Sequence, residues 1–146
     1  MAITSAICNS FKVEILTGTH NFTASSGDTF NLALYTDSAT LSKSTTAYSS
    51  SNEITNASGS AYSAKGNALT SVTPVLSTDT AVCDFANSSW SSASFTARGC
   101  LIFNDTAVGD PAVCAIDFGG NKTVTSGTFT IEFPAASAGT AIIGIA

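Results

Sequence analysis

Ser94 to Asp105, SFTARGCLIFND, carries the only arginine of the chain inside a run that otherwise reads as an apolar β-strand. The run alternates and is followed by a turn-forming AVGDP segment, then by a second strand-like stretch, Ala112 to Phe118 (AVCAIDF). Two such runs close in sequence predict an antiparallel hairpin, and its register decides which side chains share a face. Setting Cys100 against Cys114 puts Asp117 among Phe95, Leu101 and Phe103. An unpaired carboxylate there would cost several kcal/mol, on the order of a domain's whole stability. A slip of one residue sets Arg98 opposite Asp117 and gathers Phe95, Ala97, Leu101 and Phe103 with Cys114, Ile116 and Phe118. This second register is the expected one. It makes Arg98 and Asp117 a structural ion pair and points Cys100 and Cys114 to opposite sides.

Working outward, residues 9–18 (NSFKVEILTG) predict the one helix. Asn9 or Ser10 is its expected cap, Gly18 takes the left-handed position after its end, and Phe11, Ile15 and Leu16 pack onto something larger. Thereafter the period changes to two. Phe30, Leu32 and Leu34 alternate with Asn31, Ala33 and Tyr35, and further strands are expected at 70–76, 79–85, 94–104, 112–118 and 123–133. Pro74 places the first of these near a sheet edge. Gly119-Gly120-Asn121-Lys122 reads as the turn between the last two. Phe129, Ile131 and Phe133 alternate with Thr128, Thr130 and Glu132, as in a half-buried antiparallel strand.

Residues 37–66 are rich in Ser, Thr, Asn and Gly and low in pattern. A segment this long is expected to be a surface contact loop or to hold short irregular strands near Tyr48 and Tyr62. The chain closes on an apolar segment at 139–146, which its own domain or a neighbour must cover. Many strands, one short N-terminal helix and no internal repeat predict a mainly β protein. We expect a single antiparallel β-sandwich-like domain over residues 1–146.

Composition bounds what such a domain does. Charged residues make up 10% of the 146 residues and hydrophobic ones 44%, with nine phenylalanines and a net charge of −5. Ordinary domains carry about 25% charged residues, so this chain folds without a charged shell. Ser and Thr supply about three residues in ten, and hydroxyls cost less to desolvate than charges. Repeated contact with neighbouring subunits suits such a surface. Five basic residues leave no stripe for nucleic acid, and no apolar run reaches the ~20 residues of a membrane span. The start, MAITSAICNSFK, lacks the basic n-region of a secretory signal. The Asn-X-Ser/Thr tripeptides at Asn21, Asn56, Asn87, Asn104 and Asn121 therefore read as composition.

Catalytic signatures are wanting. His20 is the sole histidine, with no distinguishable nucleophile or orienting acid. Asp28, Asp79, Asp84, Asp105, Asp110 and Asp117 are scattered, and NDTAVGD lacks the spacing of a calcium loop. Cys8, Cys83, Cys100 and Cys114 have no zinc spacing and are expected to be thiols. No cofactor is expected. Trp90, Tyr35, Tyr48 and Tyr62 could instead form a sugar-binding platform.

The segments ICNSFKVEILTGTHNF, TFNLALYT, TAYS, SWSSASFTARGCLIFND, AVCAIDFGGNKTV and TFTIEFP, in that order over nearly the whole chain, resemble a family of small virion structural proteins of tailed bacteriophages. The resemblance implies a non-enzymatic particle component, made in the host cytoplasm and sited on the capsid surface as a cement or decoration protein. Its implied partners are the major capsid protein and further copies of itself, as a homotrimer. A tail, baseplate or fibre component is the alternative within the virion, and a carbohydrate-binding module the alternative outside it.

Overall fold

In the computed structural model, which describes residues 2–146, the middle of the larger sheet is buried on both faces, and the rest of the chain is arranged to achieve that. The elements are β1 (Ala6–Ile7), α1 (Asn9–Leu16), β2 (Phe30–Tyr35), β3 (Asn67–Ala68), β4 (Ser71–Ser77), β5 (Thr80–Phe85), β6 (Ser88–Asn104), β7 (Ala112–Ile131) and β8 (Ile143–Ile145). They form a five-stranded sheet in the order β1-β7-β6-β2-β3 and a three-stranded sheet in the order β4-β5-β8. All the strand pairings are antiparallel. The fold is thus mostly β, sandwich-like, with one short helix.

All six residues of β2 are buried, as are residues 99–104 of β6. Register places Leu32 and Leu34 beside Ile102 and Cys100 on one face, and Ala33 and Tyr35 beside Leu101 and Gly99 on the other. The first face is covered by α1 and the smaller sheet. Phe22 stacks on Phe30 with ring centroids 4.2 Å apart, while Phe11 and, from β5, Phe85 close around Phe22. The second face is covered by the segment between β2 and β3. Tyr48 stacks on Phe103 at 4.7 Å, and the Tyr35 hydroxyl donates to the Ser49 carbonyl at 2.7 Å.

The long polar segment is therefore a loop rather than a set of strands, and much of its outer surface is exposed. It makes single bridges only, Leu41 to Ile3, Ala47 to Pro111 and Glu53 to Tyr35, and it buries Ala39, Leu41, Ile54 and Tyr62. Its organiser is the buried carboxylate of Glu53, which accepts from Tyr48 Oη (2.5 Å), Tyr62 Oη (2.6 Å) and the Lys65 backbone N–H (2.7 Å). Three donors on one acid hold the loop shut, since a buried charge is tolerable only when its oxygens are satisfied. Burial, first, and the neighbouring Glu53 push the Tyr48 phenol up to about 12. The loop also protects the β2 edge: the Leu34 N–H donates to Tyr62 Oη and its carbonyl accepts from Ile54 N, each at 2.9 Å. A strand edge with its groups occupied offers no template for a foreign strand.

The hairpin departs from the expected register. Gly99 faces Asp117, Cys100 faces Ile116 and Ile102 faces Cys114, so Cys100 and Cys114 share one face rather than pointing apart. The expectation assumed one wet face; with 99–104 and 112–115 buried, hydrophobic parity no longer selects a register. Backbone approach does contribute. A Cβ on Gly99 would stand 2.5 Å from the Ile116 carbonyl oxygen and 2.9 Å from Ile3 Cδ1.

Nor is Gly119–Lys122 a turn between two strands. β7 runs unbroken past it, and residues 118–121 bulge opposite Arg98 alone, between the Ala97–Lys122 and Gly99–Asp117 pairs. Gly119, at φ +79, supplies the left-handed turn of the bulge, and its N–H is held by Asp117 Oδ1 at 3.0 Å.

Smaller differences lie at the ends. Cys8, without a side-chain cap bond, precedes α1 in place of Asn9 or Ser10, and Leu16 is 88% exposed instead of packed. Gly18 has φ +77, satisfying the helix end. The C-terminal apolar segment enters the smaller sheet as β8, where Ile143 is buried and Ile145 is exposed.

Removing the organiser of the cover should be costly. Glu53→Ala leaves two phenols and a backbone N–H without their acceptor, and is expected to lower unfolding free energy by about 3 kcal/mol or more. Denaturant unfolding followed by the fluorescence of buried Trp90 measures it. A loss within about 0.5 kcal/mol, the usual range for an inconsequential surface change, would contradict this role.

Candidate functional site

Arg98 and Asp117 lie at the start of the β7 bulge. Arg98 Nε donates to Asp117 Oδ1 at 2.9 Å, and a second guanidinium nitrogen reaches Oδ2 at 3.5 Å. Hydrogen bonding from Arg98, then from the Gly119 N–H, holds the Asp117 carboxyl below the usual carboxylate range. Both side chains remain partly exposed, at 35% and 25%. The guanidinium is thus spent on an acid that also shapes the bulge, and the geometry is that of a structural pair.

His20 sits in a closed polar cluster. Asn104 Nδ2, which can only donate, lies 3.1 Å from His20 Nδ1, so Nδ1 accepts and Nε2 carries the proton toward Glu14 Oε1 at 3.3 Å. The same Asn104 amide donates to Asp28 Oδ2 at 2.8 Å, and its Oδ1 accepts from the N–H groups of Thr106 and Ala107. Both imidazole nitrogens are occupied and the side chain is buried, so the ring has no free nitrogen with which to serve a nucleophile. The cluster joins α1, the following loop and the β6–β7 turn.

Two further acids are similarly committed. Asp105 and Asp110 of the NDTAVGD segment both bind Lys65 Nζ, at 2.7 and 2.8 Å. This tie fastens the covering loop to the hairpin turn. Among the described residues, no three His, Cys, Asp or Glu side chains are grouped to hold a metal ion. No described helix is long and apolar enough to cross a membrane.

The four aromatic residues that could make a sugar platform do not share an exposed face. Trp90, Tyr35 and Tyr62 are buried, and Tyr48 is half-buried against Phe103. All four cysteines are free thiols. Burial pushes Cys8 and Cys83 up to about 11 and Cys114 up to about 12, and raises Cys100 well above the ordinary thiol.

What sequence reasoning missed is an apolar cleft of about 500 Å³ along β7, on the Cys100 and Ile116 face of the ribbon. Its walls include Phe118, Phe129, Ile131, Phe133 and Ile142, all half-buried. Phe129 packs on Phe95 at 5.0 Å and Phe133 on Phe85 at 5.4 Å, so the rings are held on one side and open on the other. Lys122 and Glu132 also line it. The 129–133 alternation was the available signal, but it does not distinguish a core from an unfilled groove. The histidine cluster and the Lys65 and Arg98 ion pairs are satisfied internally, whereas this apolar cleft is left uncovered. Val72, Val75 and Leu76 on β4 and Ile145 on β8 are likewise exposed.

Two measurements follow from this geometry. In a double-mutant cycle, Arg98→Met and Asp117→Asn should be coupled at neutral pH. Because the folded Asp117 pKa is depressed, the coupling is present above the unfolded carboxylate range and is lost as pH falls through the folded value. High salt should weaken it too; absent coupling at neutral pH would exclude a stabilising pair. With thiol pKa values near 11, about one thiol in a thousand is ionised at pH 8. The native protein should therefore react very slowly with a thiol-specific disulfide reagent, Cys83 first, and release all four thiols on unfolding; rapid reaction of Cys100 or Cys114 in the folded state would contradict their burial.

No family model matches the chain, and no curated protein or solved structure matches it either.

Proposed function

We propose that this protein is a non-enzymatic structural component of a bacteriophage particle, a capsid cement or decoration protein that binds the outer face of the major capsid protein shell and stabilises it. The proposal is carried by the ordered resemblance of ICNSFKVEILTGTHNF through TFTIEFP to small virion proteins of tailed phages. The surface chemistry supports it. Only 10% of residues are charged, Arg98, Lys65 and their acids neutralise one another, and exposed apolar side chains lie on β4, β8 and α1. Such a surface is cheaply desolvated, and modest contacts repeated over a symmetric shell add up through multivalency.

In this reading the partners are the shell and further copies of the chain, with a homotrimer as the assembly implied by the resemblance. The place of action is the virion. The half-buried ion pair, the histidine cluster and the Glu53 hub serve rigidity, which suits a clamp holding its shape across a seam under load.

The test is reconstitution. Purified protein added to phage heads lacking it should bind to saturation at a fixed ratio to capsid subunits and raise the temperature at which heads release DNA. Labelling confined to tails would reassign it to a tail, baseplate or fibre role. Failure to bind any part of the particle, with specific retention on a glycan array, would favour a carbohydrate-binding module.

A further inference from the structure

We propose that the cleft along β7 is the face through which copies of this chain associate, each copy presenting its apolar strip to the next with Lys122 of one meeting Glu132 of its neighbour. The inference deepens the self-association in the proposed function and rests on that part of it alone.

Three observations combine. The cleft is large, about 500 Å³, within the range that holds a substantial apolar group. Phe118, Phe129, Ile131 and Phe133 line it while only half-buried. Leaving such rings in water forgoes roughly 25 cal/mol for every Å² that a partner would cover.

The strand beside the cleft is also open. Beyond its short pairing with β1 at Cys114 and Ala115, β7 has β6 as its only strand neighbour. Among the described residues, no other strand covers this side of the ribbon.

The third observation selects the occupant. Lys122 and Glu132, both exposed, are the charged residues lining the cleft, and among the described residues neither has an ion-pair partner. A uniformly acidic or basic partner would be repelled by one of them. A second copy carries both, and rotation about a symmetry axis brings cation to anion at each repeat of the contact. The apolar strip is then buried against a like strip, while the charges stay at the rim and set register and partner choice.

Charge reversal tests this without touching the core. Lys122 and Glu132 are surface residues, so Lys122→Glu, Glu132→Lys and the double exchange should retain native circular dichroism and Trp90 fluorescence. By sedimentation velocity, the wild-type protein should associate. Each single reversal should weaken association on the order of tenfold or more, because like charges then face each other, and the double exchange should restore it. A wild-type monomer at all concentrations ends the inference, as does association unmoved by either reversal or not rescued by the exchange. A monomer that still saturates phage heads at a fixed ratio would overturn this inference and leave the cement reading intact; an associating protein that ignores particles would do the reverse.

Discussion

Two-sided burial of the β2–β6 pair is the constraint on which the molecule depends. A sheet with one wet face needs a single partner layer, but strands apolar on both faces must be covered twice. This chain meets the demand with unlike materials. Helix α1 and the three-stranded sheet close one face through Phe11, Phe22 and Phe85. A Ser- and Thr-rich segment closes the other, and such a segment lacks the apolar content to stay in place by packing alone. Glu53 supplies what is missing. One buried acid gathers Tyr48, Tyr62 and the Lys65 backbone, and Lys65 in turn reaches Asp105 and Asp110 at the hairpin turn. In a sequence this poor in charge, Glu53 and Lys65 are fixed points of the fold.

A similar economy holds for several other reactive groups. His20, Glu14 and Asp28 are bound into one cluster with Asn104, and Arg98 is bound to Asp117. The thiols are raised out of reactivity by burial. Each of these groups could serve catalysis in another setting; here their hydrogen-bonding capacity is spent on neighbours. The apolar cleft along β7, by contrast, is left uncovered by the rest of the fold.

Much of the fold was legible in the sequence because alternation and turn chemistry are local. Strands at Phe30–Tyr35, Ser71–Ser77 and Thr80–Phe85 and the helix from Asn9 were visible for that reason. Three features were not. The hairpin register depended on parity, and parity is uninformative where Gly99 to Asn104 is buried throughout. The Gly119-Gly120 pair signals a left-handed backbone equally well in a turn or in a bulge, and only pairing across β6 separates them. The covering role of residues 37–66 depended on Glu53 meeting Tyr62 and the Lys65 backbone, contacts that no local pattern announces. The cleft escaped for a different reason. Phe129, Ile131 and Phe133 alternate as a core-facing strand does, and whether their outer halves are covered depends on what the rest of the fold leaves empty.

The long β7 edge raises the question of why such a protein would not polymerise through strand pairing. Its bulges provide a physical answer. Residues 118–121 leave the ladder opposite Arg98, and a second irregularity between Val124 and Gly127 contains Ser126 at φ +46. Each interrupts the even spacing of N–H and C=O groups that an incoming strand would need, and each adds local twist. Association by main-chain pairing is thereby discouraged over most of the ribbon, while the side-chain face beside it keeps its aromatic strip and its two opposite charges. An edge broken in this way disfavours open growth along strands, so the exposed edge of β7 is protected by its own irregularity as the β2 edge is protected by the covering loop.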